Sequence, residues 1–349
     1  MSADESTSPD QDQKSRRFTV ALDAMGGDIG PGVTVNPAID AAVEMDVRVL
    51  LIGDEDQILK AIGDRSYPAH LVEIVHAPEQ VSMEDEAVSA VRGRSRASMP
   101  VGIQIMRSGD ADAFISAGNT GAVVACAVVG LGRLPGVHRP GIAVPIPTAS
   151  DTPLLLIDAG ALVDPRPEHL WQHARLAAAY SRVAKQTPNP RIGLVSNGEE
   201  RGKGNAITRQ AFDLLDGDED LRFVGNVESR DIPHKPCDVL VTDGFTGNIL
   251  LKTGEGIMSL FQTSLREEFK RTWYTSLLAT LLKPAMRRAG RALDYREYGG
   301  APLLGVNGLV MIAHGGSDEI AIKSAVKSAV EAGQTNLMEA LRTAVPPSK

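Results

Sequence analysis

The chain has 349 residues, 43% of them hydrophobic but only 4% aromatic, and a formal net charge of -8. That length can bury a large core of Ala, Val, Leu and Ile and suits one big α/β domain or two closely joined lobes. The acidic balance excludes general nucleic-acid binding, and no run of about 18 uninterrupted apolar residues offers a membrane span. The two cysteines, Cys126 and Cys237, lie far apart without metal-ligand spacing; they fit a reduced, cytoplasmic protein.

Residues 1–17 are polar and lack an apolar h-region, so a disordered tail is expected there. A strand at Phe18–Leu22 leads into the turn Asp23-Ala24-Met25-Gly26-Gly27-Asp28 and a helix at Pro31–Met45, with Pro at its entry. Strands follow at Val47–Ile52, Leu71–Val75 and Ala113–Ile115. The turn Ser116-Ala117-Gly118-Asn119-Thr120-Gly121-Ala122 then opens a helix at Gly118–Leu131. Further on, strands at Leu154–Ile157, Ile192–Val195, Phe223–Val224 and Val239–Val241 alternate with helices at Glu168–Lys185 and Asn205–Asp216. After the turn Asp243-Gly244-Phe245-Thr246-Gly247-Asn248 the chain reads as almost continuous helix to Leu293, broken by Pro284. A fourth turn, Gly299 to Gly305, precedes the apolar run Leu309–Ala313 and a helix at Asp318–Arg342; residues 343–349 read as a tail. Short β-branched strands between helices predict a doubly wound α/β fold, a mostly parallel sheet with helices on both faces. Residues 18–342 read as one domain, with a helical excursion at about 248–293 that forms a lobe or a dimerisation arm.

Each of the four turns ends an apolar run in Gly, Asn, Asp or Thr. Such turns aim backbone N–H groups and a helix N-terminus at one place, which suits an anion. In an open α/β sheet, ligands bind at strand ends of this kind. Familiar alternatives fail on spacing. The first turn lacks G-x-G-x-x-G, and the run from Gly198 to Gly202-Lys203 is one residue short of a P-loop. Phe114 stands where a nucleophile elbow needs Gly, so Ser116 reads as a cap or turn residue rather than a nucleophile.

Together the segments ALDAMGGD (21–28), SAGNTGA (116–122), PEHL (167–170), GNVESRDIP (225–233), DGFTGN (243–248), YGGAPLLGVNG (298–308) and AHG (313–315) resemble the phosphate acyltransferase family of fatty acid and phospholipid synthesis. The resemblance covers about residues 18–330. It implies conversion of acyl-acyl carrier protein and inorganic phosphate to acyl phosphate, which feeds glycerol 3-phosphate acylation. It also implies an isocitrate/isopropylmalate dehydrogenase-like fold, a homodimer and peripheral membrane contact. Two places depart from the family pattern: Leu162 where Asn is common, and Val195-Ser196-Asn197-Gly198-Glu199-Glu200.

Phosphate is itself the nucleophile in such a reaction, so the chain needs an anion cradle, oxyanion donors and exclusion of water, not a protein nucleophile, a metal or a cofactor. The phosphate- and substrate-binding candidates are Asp23, Gly26, Gly27, Asn119, Thr120, Gly121, Thr246 and Gly247. Lys203 is the candidate phosphate cation, with Lys252 second. Asn248 offers an amide. Asp243 reads as a base or as an Asx turn, and His314 as an acid for the leaving sulfur or as a structural hydrogen-bonder. Asp23 and Asp28 are expected to brace their turn.

Lys283, Arg287, Arg288 and Arg291 form a basic helical stripe, read as a docking patch for acidic acyl carrier protein or as a solvated face. The preceding apolar run 273–282, with Trp273 and Tyr274, fits a membrane-surface helix, a dimer contact or a lip for the acyl chain. Two other functional classes stay open: an NAD-dependent oxidoreductase on the related fold, and a non-catalytic acyl-carrier or membrane-binding protein.

Overall fold

The computed structural model describes residues 16–87, 93–292 and 299–347, and among these the side chains of residues 287–289, 291 and 292 are outside the description. In chain order the first half comprises β1 (Thr19–Asp23), α1 (Pro31–Met45), β2 (Arg48–Gly53), α2 (Glu55–Ile62), β3 (Val72–His76), α3 (Ser98–Ser108), β4 (Ala113–Ser116), α4 (Thr120–Gly130) and β5 (Gly141–Ile146). Then come β6 (Leu154–Ile157), α5 (Pro167–Ala184), β7 (Arg191–Ser196), α6 (Ala206–Asp216), β8 (Arg222–Glu228) and β9 (Val239–Val241). Two long helices follow, α7 (Gly244–Lys270) and α8 (Trp273–Ala292), and the chain closes with β10 (Ala301–Leu304), β11 (Leu309–Ile312), α9 (Glu319–Gly333) and α10 (Leu337–Ala344).

All strands join one sheet of order β3-β2-β1-β4-β11-β10-β5-β6-β9-β7-β8. Pairing is parallel from β3 to β11 and again from β6 to β8, with β11–β10, β10–β5 and β5–β6 antiparallel. Three successive reversals leave β6, β7, β8 and β9 running opposite to β1–β4 and β11. The C-terminal ends of the two parallel sets therefore open on opposite edges of the sheet.

Side-chain alternation covers both faces. Val20, Leu22, Ala113 and Ile115 bury against one core with α1, α5 and α9, while Ala21, Phe114 and Val310 bury against another with α3 and α4. This is the two-faced burial expected of strands that read as continuous apolar runs.

Several elements differ from the sequence expectation. The fourth glycine turn is not a turn: residues 301–304 are strand β10, at the centre of the sheet. Pro302 is tolerated there because β10 pairs with β11 through Ala301 and Pro302 but with β5 only through Leu303 and Leu304, so the missing N–H falls where no ladder bond is needed. Strand β5, with Pro145, and helices α2 and α3 were not anticipated. The helix expected at 318–342 divides at a turn over residues 334–336, where the Thr335 hydroxyl bonds back to the Ala332 carbonyl at 2.6 Å. Helix α10 continues to Ala344 and Val345 is buried, beyond the expected start of the C-terminal tail. At the other end, Arg16 pairs with Asp112 at 2.8 Å and Arg17 with Asp46 at 3.1 Å. Residues 1–15 of the expected tail lie outside the described residues.

Candidate functional site

The turns after β1, β4 and β11 stand side by side because those strands are neighbours. Asp23, 1% exposed, is their hub. Its Oδ2 accepts the Ser116 hydroxyl at 2.7 Å and its Oδ1 the Met25 N–H at 3.1 Å, and the Ser116 Oγ in turn accepts the Gly118 N–H at 3.1 Å. Burial pushes the Asp23 carboxyl above its ordinary range, against hydrogen bonds from Ser98, Ser116, Met25 and Gly26 that favour the anion. Ser116 is thus a buried organiser of the turn, not an exposed nucleophile. A Cβ on Gly26 would lie 2.8 Å from the Gly118 nitrogen and 3.1 Å from that of Ala117, so glycine lets the two turns meet backbone to backbone. The Asp28 N–H donates to the Gly315 carbonyl at 2.9 Å and ties in the third turn; Gly27 lies beside that same carbonyl.

Asn119 caps α4. Its Oδ1 accepts the Ala122 N–H at 3.0 Å, its carbonyl takes Val123, and its Nδ2 donates to the carbonyls of Met83 and Asp85 at 2.9 and 3.1 Å. The amide is spent on structure. The N–H groups of Thr120 and Gly121 and the Thr120 hydroxyl, all on exposed residues, come before those bonds at the positive end of an uncharged helix start. His314, at the end of β11, accepts the Gly316 N–H on Nδ1 at 3.1 Å, which places the ring proton on Nε2. That nitrogen lies 3.9 Å from the Glu255 carboxylate.

The opposite edge is built differently. Asp158, fully buried after β6, accepts N–H groups from Ile142 (3.0 Å), Gly160 (3.0 Å) and Ala161 (2.9 Å) on Oδ1 and from Leu162 (2.7 Å) on Oδ2. Asp243 caps α7, taking the Thr246 N–H and hydroxyl, each at 2.7 Å. Gly247 fits because any Cβ would strike the Asp158 carbonyl oxygen. Asn248 sits against Gly160. Two carboxylates already occupy the N–H groups of this edge, so its anion nest is filled from within. Nothing in the sequence singled out Asp158; only the four N–H donors that the fold gathers around it give it meaning.

The expected site residues therefore divide. Asp23, Gly26, Gly27, Asn119, Thr120, Gly121 and His314 meet at one edge; Asp243, Thr246, Gly247 and Asn248 meet at the other. Helix α7 joins the two, because Glu255, opposite His314, lies eight residues beyond Gly247, about 12 Å at helical rise. Lys203 belongs to the second edge, exposed in the loop after β7, with its stem folded over Gly198. Near it a pocket of about 390 Å³ is walled by Asp164, Asn205, Thr208 and Asp243. Lys252 is exposed on α7, and Lys283 on α8; the Arg287, Arg288 and Arg291 side chains lie outside the described residues. A second pocket, of about 340 Å³, lies between α4 and the turn at 160–162. Among the described residues no group of three His, Cys, Asp or Glu side chains is placed to hold a metal, and no helix is long and apolar enough to cross a membrane.

Residues 18–340 match the family model described as fatty acid synthesis protein. A phosphate acyltransferase of Pelotomaculum thermopropionicum is 42% identical over 326 residues, covering 93% of this chain and 94% of its own length. Among solved structures, a phosphotransacetylase from Streptococcus pyogenes superposes with a TM-score of 0.61 at 17% identity, over 90% of this chain and 94% of that one. A 4-hydroxythreonine-4-phosphate dehydrogenase from Klebsiella pneumoniae gives a TM-score of 0.50 at 13% identity, over 92% of this chain and 99% of that one. Those two likenesses concern the fold alone.

Proposed function

The chain belongs to the fatty acid synthesis protein family, whose close relatives are phosphate acyltransferases, and from that membership we infer that it transfers an acyl group from acyl-acyl carrier protein to inorganic phosphate. Membership displaces the oxidoreductase and the non-catalytic binding protein as readings. The observation that carries the residue-level proposal is the helix start of α4, left open by a neutral cap at the point where three strand-end turns converge.

Phosphate binds there, on the Thr120 and Gly121 N–H groups and the Thr120 hydroxyl, with the Gly26-Gly27 turn closing one side. Its oxygen attacks the thioester carbonyl. The C–S bond breaks as the C–O bond to phosphate forms, and the proton lost from phosphate ends on the leaving sulfur. The N–H on His314 Nε2, beside this turn, hydrogen-bonds the developing thiolate, which takes that proton from the phosphate. A thiol leaving group has an ordinary pKa of about 8.5, so modest acid assistance is enough. Lys203, at the second edge, is a cation available to the anionic donor rather than to the bound phosphate.

At the whole-protein level the proposal includes a dehydrogenase-like scaffold, a homodimer and a peripheral membrane contact through α7 and α8. Ile257, Leu260, Phe261, Trp273, Leu277 and Leu281 are exposed on those helices, an apolar surface larger than scattered surface residues provide. The test of the activity is thiol release from palmitoyl-acyl carrier protein with and without phosphate, trapping acyl phosphate as the hydroxamate. Phosphate-dependent release with hydroxamate supports the reading; release without phosphate makes the protein a thioesterase and overturns it. Thr120→Val is expected to raise the KM for phosphate about tenfold, the scale of one charge-assisted hydrogen bond.

A further inference from the structure

The pocket of about 340 Å³ beside α4 is lined at one end by Gly121, along its length by Val124, Ala125 and Val128, and at the other end by Arg133 and Arg139. Helix α4 is apolar from Gly121 to Gly130. The core takes Ala122, Val123, Cys126 and Ala127, and Val124 and Val128 pack partly against it while also facing the pocket. The two arginines share an anchor: each donates an Nη1–H to the carbonyl oxygen of His138, from Arg139 at 3.2 Å. Two guanidiniums on one oxygen are held side by side. Neither has an acidic partner among the described residues, and no acid lines the pocket. Adjacent unpaired cations repel each other, and an anion with several acceptor oxygens relieves that repulsion while taking charge-assisted bonds.

We propose that Arg133 and Arg139 bind the phosphodiester of a phosphopantetheine arm, which lies along the outer face of α4 and presents its thioester at Gly121. This rests on the acyl-transfer reading. From Gly121 to Gly130 the helix measures about 14 Å, so the two ends of the pocket are separated as the two ends of a long, thin substrate arm are. The methylene and dimethyl groups of the arm meet the valines, and its one charge meets the arginines. Carrier protein and coenzyme A both carry this arm, and the shared chemistry is the phosphorylated pantetheine.

The test compares three thioesters of one acyl chain, on phosphopantetheine, on pantetheine lacking the phosphate, and on carrier protein, with wild type and the Arg133→Gln/Arg139→Gln variant. Wild type is expected to prefer the phosphorylated arm by about tenfold or more in KM. The variant loses that preference, while kcat, the KM for the unphosphorylated thioester and the KM for inorganic phosphate stay unchanged. Equal KM values for the two arms in wild type overturn the proposal. So does a variant whose KM for inorganic phosphate rises instead, since the pair then holds the nucleophile. Because Arg133 also braces its loop, Arg139→Gln alone serves as the second variant, with thermal melts to verify folding. Calorimetric titration with 4′-phosphopantetheine against pantetheine needs no turnover. Arginine-dependent binding by an inactive protein upholds the arm site and sinks the transfer reading, whereas equal titrations sink the arm site. The ratio of wild-type kcat/KM on acyl-carrier protein and acyl-coenzyme A identifies the source of the arm.

Discussion

The Ser116 hydroxyl stands between a buried carboxyl and the backbone N–H of Gly118, and its removal leaves both short of a partner. Ser116→Ala is expected to cost about 1–3 kcal/mol in urea unfolding. The cost depends on pH. The folded pKa of Asp23 is raised by burial, so the stability it contributes is full below its unfolded value of about 3.9 and is lost as pH rises through the folded pKa. Losing a hydrogen bond that favours the anion raises that pKa further. The gap between Ser116→Ala and wild type therefore widens with rising pH, and a gap constant from pH 4 to 8 would contradict the account. The thiols behave more simply. Burial pushes Cys126 and Cys237 up to about 12, and iodoacetamide at pH 8 is expected to label neither until the protein is unfolded. At this scale the sequence was legible where backbone geometry leaves a residue signature, as with Gly26 and the Asn119 cap. It was silent on Asp158, whose role depends on N–H groups from β5 and from the following turn.

Helix α7 begins four residues earlier than its sequence suggests. Gly244, Phe245, Thr246 and Gly247 read as a turn because glycine and threonine disfavour helix interiors, yet Asp243 caps them into a first turn pressed on the Asp158 carbonyl. Asp243→Ala is expected to cost about 1 kcal/mol by cap loss. Gly247→Ala is expected to cost about 1–3 kcal/mol by overpacking, both read from thermal melts against wild type. A Gly247→Ala protein as stable as its parent would mean that the helix start can shift away from β6. The strands show the converse error: β10 was hidden by Pro302 and two glycines, composition that signals a turn unless the register of both neighbours is known. Helices α1, α5 and α6 were legible because Pro or Asn at the entry and an apolar stripe agree.

At the scale of the molecule, Arg175 ties three distant segments together. From α5 it holds Asp218 through Nε at 2.7 Å and Nη2 at 2.8 Å, and it reaches the Ala344 carbonyl at 3.1 Å. Burial raises the Asp218 carboxyl, but the Arg175 and Trp171 hydrogen bonds outweigh it and hold it below its ordinary range. That stability is present above the unfolded pKa of about 3.9 and lost as pH falls through the folded one. With Asp218 5% exposed, Arg175→Ala is expected to cost about 3 kcal/mol at pH 7, and the difference from wild type closes below pH 4 in denaturant titrations. The α/β class with a mostly parallel sheet was legible from the alternation of elements; the three reversals at its centre were not, because strand direction depends on which strands become neighbours. Those reversals bear on how the chain is made. β10 and β11 sit between β4 and β5, so the clasp joining the two halves of the sheet is synthesised after both. At roughly 5–20 residues per second, a ribosome takes about 8–30 s to pass from β5 to β10. Throughout that interval the nascent chain exposes the open edges of β4 and β5, where strands from other chains can add. A charge placed in the clasp, as in Leu303→Asp, is thus expected to reduce the yield of soluble protein more than the melting temperature of the molecules that finish.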